Sequence, residues 1–277
     1  MDSFSVVIFG DMQRHNEIAR RIIRLAVDMR PDLCIILGDL VGAGRDLDQW
    51  ETCSNLLRPL QRSCEVVALP GNHDYESAGV ARNFCARFRR PDAPTYMSLR
   101  RGGCRFILLD TMRYDQDTLE CGCFPPDSPQ AVWLKDELQQ AKQETEPAFV
   151  CGHHPVFMST EIYFSTSPTI RVDERGNELA PGNLLPLLLR GGAQMYFAGH
   201  LHLYEKSKYQ DMRFITSGAT SYPFPNLQEG GNRFGELRLE KNHLCRLHLG
   251  GGIVKFQAVD EWAEVVDAWE EPLCRSR

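Results

Sequence analysis

One recurring pattern limits the folds open to this chain more than any other. Short β-rich apolar runs each stop at a glycine or proline, and an oxygen or imidazole side chain follows at once. Val6–Phe9 stops at Gly10-Asp11-Met12-Gln13, Leu33–Leu37 at Gly38-Asp39, and Cys64–Leu69 at Pro70-Gly71-Asn72-His73-Asp74. Between these runs, Asn16–Met29 and Asp46–Leu60 read as amphipathic helices; Ile18, Ile22, Leu25 and Val27 give the first its apolar face, and Pro31 ends it. Strand, helix, strand, helix, strand requires parallel strands joined by crossover helices. In such a sheet, polar groups at the carboxyl ends of the strands gather along one edge. Asp11, Asp39 and Asn72 are therefore expected to be neighbours in space.

The second half continues the pattern with more antiparallel character. Arg105–Leu109 ends at Asp110, Ala148–Cys151 at Gly152-His153-His154-Pro155, and Gln194–Ala198 at Gly199-His200-Leu201-His202. Helices are expected over Pro129–Lys142, with Val132, Leu134 and Leu138 toward the core, and over Leu184–Leu189 despite Pro186 near its start. Arg213–Ser217 reads as a strand, and Arg233–Leu239 with Leu244–Leu249 as a hairpin turning at Lys241-Asn242. Phe256–Val259 and Ala263–Trp269 close the chain. Residues 159–182 show little periodicity and read as a long loop over the site. No linker, low-complexity tract or repeat divides the 277 residues, so one domain is expected over 1–277, with 233–277 as its C-terminal hairpin and tail.

The formal net charge is −6. A polyanion binder needs a broad basic face, and the basic clusters here, Arg87-Phe88-Arg89-Arg90 and Arg100-Arg101, are short. A nucleic-acid polymer is disfavoured as a partner; a small phosphate ester is not. The ten cysteines are scattered, and Cys121-Gly122-Cys123 has no second pair at zinc-ribbon spacing. Cys34 and Cys151 sit inside apolar runs, which suits a reducing compartment. No apolar stretch reaches the roughly 18 residues that span a bilayer, and no basic leader precedes Ser5–Phe9. The expectation is a cytoplasmic chain with no membrane partner.

Each polar motif alone carries little weight, because an Asp after a strand is commonly a cap or turn former. Together they say more. Independent caps have no need of imidazoles at the ends of the last strands. Carboxylates, amide oxygens and neutral imidazoles in one place suit a pair of divalent cations of the Mn, Fe or Zn kind. Two such ions about 3.5–4 Å apart serve in-line attack on phosphorus.

The ordered set Asp11-x-Gln13, Gly38-Asp39, Gly71-Asn72-His73-Asp74, His153-x-Pro155 and Gly199-His200-x-His202 resembles the motif series of the calcineurin-like metallophosphoesterase superfamily. The segments Gln130–Leu134 and Gly199–Glu205 are similar to its purple-acid-phosphatase and cyclic-nucleotide-phosphodiesterase side. The resemblance implies an α/β fold, a four-layer αββα sandwich with two mixed β-sheets, and metal-dependent hydrolysis of phosphoric mono- or diesters. It implies that Asp39 bridges two divalent or trivalent ions (Mn, Fe or Zn). Asp11, Gln13 and His202 would complete the protein shell of one, Asn72, His153 and His200 that of the other. A hydroxide held between the ions would be the nucleophile, and His73 would protonate the leaving alkoxide.

The His-x-Pro spacing selects His153 over His154 as a ligand, because adjacent side chains on an extended segment point apart. His154 then supports the site or packs beside it. Asn72, Arg14, His154 and Tyr204 are the candidates for touching substrate, with Arg45, Tyr163, Phe164, Tyr222 and Phe224 as further candidates near the mouth. Two positions depart from the family pattern. Gln13 stands where His is usual and offers a weaker and harder amide oxygen, which implies either looser metal binding at that site or a preference for Mn or Mg over Zn. Gly42 stands where Asp or Tyr commonly follows the bridging Asp, which removes the source of an iron-tyrosinate colour and a common partner for the catalytic His; Asp74 is the substitute the sequence offers. His15, His243 and His248 lie outside the motif set and read as surface or hairpin residues. Two rivals follow: a scaffold that keeps this fold without catalysis, as the retromer subunit of this architecture does, and a nucleotide-specific phosphodiesterase. The presence of His73 with the other motif residues argues against the scaffold.

Overall fold

The computed structural model describes residues 3–77, 79–89, 93–112, 127–157, 184–221, 232 and 234–273. Three parallel strands open it, β1 (Phe4–Phe9), β2 (Leu33–Ile36) and β3 (Glu65–Ala68). They are joined by the helices α1 (Glu17–Asp28) and α2 (Leu47–Ser63). β2 is buried at every residue and β1 at all but its first, as parallel strands covered on both faces must be. α1 starts where it does because the Asn16 side chain accepts the Ala19 N–H at 3.0 Å. Asp46 caps α2 in the same way through Asp48 and Gln49. α2 runs three residues past its expected end and contains Pro59; buried Leu57 and Leu60 hold it to the sheet across the missing N–H.

The chain continues through α3 (Arg82–Phe88), β4 (Met97–Arg101), β5 (Cys104–Leu108), α4 (Pro129–Gln143), β6 (Ala148–Cys151), α5 (Leu184–Gly191), β7 (Met195–Ala198), β8 (Tyr204–Tyr209) and β9 (Met212–Ser217). It ends with β10 (Gly235–Leu239), β11 (His243–Gly250), β12 (Ile253–Asp260) and β13 (Val265–Pro272). One sheet has the order β13-β12-β11-β1-β2-β3, the other β10-β8-β9-β7-β6-β5-β4. Both are mixed: β1–β3 and β5–β6–β7–β9 run parallel, and the remaining strands, β4, β8, β10 and β11–β13, pair antiparallel with their neighbours.

Three apolar clusters order the layers. Between the sheets lie Val6, Ile8, Ile35, Phe106, Phe149 and Phe197. Val7, Phe9 and Ile36 face Ile22, Trp50 and Phe84 of α1–α3. Ile107 and Val150 face Leu134, Leu138 and Leu188 of α4 and α5. This is the expected αββα arrangement with two mixed sheets.

Several local expectations are corrected. β10 and β11 do not form a hairpin: β10 pairs with β8 in one sheet and β11 with β1 and β12 in the other. The polar turn at Lys241-Asn242 is a crossing between sheets, and turn chemistry alone does not say which way the chain leaves. Val132 is 46% exposed rather than core-facing, while Leu134 and Leu138 are buried. His15 and His243 are buried, not on the surface. The long loop expected over 159–182, together with Cys121, Cys123, Tyr163, Phe164, Tyr222 and Phe224, lies outside the described residues. None of the seven described cysteines is in a disulfide. Among the described residues, no helix is long and apolar enough to cross a membrane.

Candidate metal centre

The tips of β1, β2 and β3 meet the tips of β6 and β7, and the backbone there is bent hard. Eight non-glycine residues among those described have left-handed φ, and three of them are expected ligands: Asp11 (63°), Asp39 (52°) and His200 (67°). Such a conformation costs on the order of 1–3 kcal/mol per residue and persists only where the surroundings impose it. At Asp11 the constraint is visible: its N–H donates to the Gly38 carbonyl at 3.0 Å, and its own carbonyl accepts from Ser221 Oγ at 2.9 Å. Gly38, at φ 89°, packs against Gly71, where a Cβ would sit 2.2 Å from Asp39 Oδ1. Glycine at both positions lets the Asp39 and Asn72 turns touch.

This bending gathers the seven expected ligand residues. Asn72 Oδ1 lies 3.1 Å from His153 Nε2 and 3.0 Å from His200 Nδ1. Asp39 Oδ2 lies 3.3 Å from Gln13 Nε2 and 3.5 Å from His153 Nε2, so it reaches both expected shells. His202 Nε2 is 3.5 Å from Asp11 Oδ1. Asp11 Oδ1 and Gln13 Oε1 are buried with no hydrogen-bond partner. A buried orphan acceptor costs roughly 1–3 kcal/mol, and a cation is the partner both lack. The ligand atoms of Asp11, Asp39 and His153 fall within 4.8 Å of one another, as do those of His153, His154 and His200. On these observations the residues fit a pair of cations.

The remaining atoms of the same groups fix their orientation. Asp11 Oδ2 accepts the His200 N–H at 2.9 Å, and Asp39 Oδ1 accepts the His73 N–H at 2.9 Å. His153 Nδ1 donates to the Leu37 carbonyl at 2.7 Å, which makes Nε2 the nitrogen whose proton a cation can replace. In the chain by itself, burial pushes the Asp39 carboxyl up, but His153 and the His73 N–H outweigh burial and hold it at about 2. Burial lowers His153, and Asp39 and then Asp11 override it, raising the imidazole to about 9. Burial, then the neighbouring His153, drive His200 down to about 3. Burial, then His200 and His153, hold His154 well below the ordinary imidazole range.

Asp74 does not partner His73 as the sequence suggests. It is fully buried; Oδ1 accepts the N–H groups of Leu40 (2.8 Å) and Val41 (3.2 Å), and Oδ2 accepts that of Gly71 (2.8 Å). It therefore ties the turn after Asp39 to the turn that carries Asn72. The partner of His73 Nδ1 is the Gly42 carbonyl, at 3.0 Å. Arg14 and Arg45 are exposed where their turns meet solvent, and the Arg14 N–H donates to Ser221 Oγ at 3.3 Å. Tyr204 is not available to substrate: it is fully buried, stacked toward Phe256, with its hydroxyl donating to Asp267 at 2.6 Å. Thr111, unnoticed in the sequence, accepts the backbone N–H groups of both His153 and His154; its only signal there is its place just past the strand that ends at Asp110.

The family model described as calcineurin-like phosphoesterase matches residues 4–204. The chain is 26% identical over 200 residues to the human serine/threonine-protein phosphatase CPPED1, covering 69% of this chain and 59% of that protein. It is 27% identical over 215 residues to probable purple acid phosphatase 20 of Arabidopsis thaliana, covering 73% and 45%. The chain thus spans about half the length of the curated relatives it matches. Among solved structures, the purple acid phosphatase PPD1 of yellow lupin superposes with a TM-score of 0.80 at 16% identity, over 98% of this chain and 54% of that one. A dimetal phosphatase from Danio rerio gives 0.61 at 14% identity, over 98% and 99%. These two likenesses show the fold, while the family model spans every expected ligand from Asp11 to His202: the chain belongs to the calcineurin-like phosphoesterase family.

Proposed function

We propose that this chain hydrolyses small phosphoric esters with two cations held in the cage just described. The observation that carries the reading is the convergence of two imidazole nitrogens on Asn72 Oδ1, at 3.1 and 3.0 Å, beside the buried and unpartnered oxygens of Asp11 and Gln13. Asp11, Gln13 and His202 would hold one ion and Asn72, His153 and His200 the other, with Asp39 shared. The hard amide oxygen of Gln13 favours manganese or magnesium over zinc at its position. When bound, the ions lower the pKa of water toward neutrality and offset the charge on the phosphoryl oxygens.

His73 carries the proton chemistry of the chain itself. A carbonyl only accepts, so the 3.0 Å contact to Gly42 puts a hydrogen on Nδ1 and leaves Nε2 for substrate. As an imidazolium, His73 gives the Nε2 proton to the leaving oxygen while that oxygen's bond to phosphorus breaks; the oxygen of water bonds in its place, and the proton that water loses passes to solvent. The Gly42 carbonyl is itself held, because Gly42 and Ala43 donate N–H bonds to Gln49 Oε1 at 2.7 and 3.2 Å. Backbone thus fills the role that Gly42 cannot fill with a side chain.

The net charge of −6 and the absence of a long basic run support a small ester over a polymer. The names of the relatives, a serine/threonine-protein phosphatase and purple acid phosphatases, support a phosphomonoester. The buried thiols of Cys34, Cys53, Cys104, Cys151 and Cys245, none of them in a disulfide, support a reducing, cytoplasmic setting. The test is turnover of chromogenic phosphate mono- and diesters with added manganese. The monoester is expected to turn over faster, and His73→Ala to lower kcat by roughly 10²–10⁴-fold with bound metal unchanged. A protein that holds two ions and hydrolyses neither ester would remove the enzyme reading.

A further inference from the structure

Three imidazoles crowd one corner of the cage, but their hydrogen bonds separate one from the other two. Thr111 Oγ1 accepts the N–H of His153 at 3.2 Å and of His154 at 3.1 Å, and lies 2.8 Å from His154 Nδ1. A hydroxyl has two lone pairs and one proton. Both lone pairs are taken by backbone donors, so the proton points at Nδ1, and Nδ1 must accept it. A neutral His154 therefore carries its own hydrogen on Nε2. That nitrogen is buried and has no partner, and the residue is 3% exposed. Its ring lies 4.5 Å from that of His200 and 5.0 Å from that of His153. The segment is pinned from behind, since the buried Tyr196 hydroxyl donates to the His154 carbonyl at 2.8 Å.

A nitrogen that carries a hydrogen has no lone pair to give a cation. Proximity alone would count His154 with His153 and His200 as a third ligand; the proton count does not allow it. We infer that His154 is a hydrogen-bond donor to a phosphoryl oxygen of the bound ester, and that Thr111 is the positioning residue that makes it one. The inference rests on the phosphoester reading of the same site. A desolvated N–H facing an oxygen that gains charge as phosphorus is attacked stabilises the transition state more than the ground state. An unpartnered buried donor is a cost in the free chain that an anionic ligand removes.

Two measurements test it. Ring ¹⁵N NMR of zinc-loaded protein is expected to show His154 protonated at Nε2 and unprotonated at Nδ1. That pattern should persist in Thr111→Ser and be lost in Thr111→Val. The second measurement is inhibition by inorganic phosphate. His154→Ala should keep two metal equivalents and raise the phosphate inhibition constant about tenfold or more, and His154→Gln, which keeps an N–H donor, should recover most of the loss. A zinc-shifted Nε2 resonance, or loss of metal in His154→Ala, would make the residue a ligand and overturn the proposal. Unchanged phosphate inhibition with both metals in place would overturn it too, leaving hydrolysis by the wild-type chain untouched. Failure of the wild-type chain to hydrolyse any ester is the separate result that sinks the underlying reading.

Discussion

The strand tips of the six-stranded sheet supply Asp11, Gln13, Asp39 and Asn72, all oxygen donors, whereas the tips of the seven-stranded sheet supply His153, His200 and His202, all imidazoles. The oxygen side is fixed by backbone N–H groups, the imidazole side in part by a backbone carbonyl. Two of the fixing groups come from the opposite sheet. His200 N–H orients Asp11 at 2.9 Å, and the Leu37 carbonyl orients His153 at 2.7 Å. Each half of the cage is therefore a template for the other, and neither sheet edge presents a finished site without its partner. The apolar layer between the sheets, with Val6, Ile35, Phe149 and Phe197, sets the spacing of the two halves.

The harshest way to break this pairing is at the one carboxylate that reaches both sides. Asp39→Asn keeps an oxygen for the His73 N–H, and Asn tolerates the left-handed backbone, so the substitution removes the charge and the acceptor that faces Gln13 Nε2 at 3.3 Å while leaving the turn in place. Both ions are expected to bind far more weakly, and hydrolysis to fall by at least about 100-fold. Elemental analysis of the purified variant, beside its turnover, checks this. A variant that keeps two ions would mean that the halves are not linked through Asp39.

A smaller effect sharpens the comparison through pH. In the chain alone the oxygen side raises His153 from the ordinary 6.5 to about 9, because Asp39 and Asp11 outweigh burial. At pH 7 that imidazole is protonated, so a cation must displace a proton from it. Metal binding at pH 7 should release about one proton from this group, and affinity should rise up to about tenfold per pH unit before levelling near pH 9. Calorimetry in buffers of different ionisation enthalpy counts the proton. The sign for stability is the opposite. A folded-state pKa above the unfolded one contributes stability that is complete below 6.5 and lost as pH climbs through about 9. Chelated protein should therefore lose part of its thermal stability across that window, while metal-loaded protein should not.

The two sides were also unequally legible in the sequence. The oxygen side follows from a local rule: β1–α1–β2–α2–β3 places every strand end on one edge, so Asp11, Asp39 and Asn72 can be read one strand at a time. The imidazole side was legible only as far as its backbone stays regular. Residues 200, 202 and 204 alternate as a strand would, yet His200 is left-handed at φ 67° and residues 201–203 bend before β8 begins. Period-two reasoning requires extended backbone, and the bend turns Tyr204 into the core. Asp74 was misread for a related reason. Sequence adjacency to His73 says nothing about direction, and the one-turn 3₁₀ segment Asn72–Asp74 sends its carboxylate back to Gly71. The roles of Thr111 and of the Gly42 carbonyl depend on hydrogen bonds between distant segments, and no local pattern encodes them.

The mildest prediction separates the two sides at that bend. If Tyr204 belongs to the core and not to the mouth of the site, Tyr204→Phe removes a hydroxyl and nothing from the chemistry. Asp267 would lose its 2.6 Å bond from Tyr204 but keep Lys206 Nζ at 2.9 Å, so it would not be stranded without a partner. The loss should be about 1–2 kcal/mol of stability, seen as a lower denaturant midpoint with unchanged slope. The kcat/KM for a small chromogenic monoester should stay within about twofold, since the aromatic stack against Phe256 is retained. A large fall in kcat/KM with stability intact would instead return Tyr204 to the substrate wall, and would mean that the bend after His200 opens toward solvent when ester is bound.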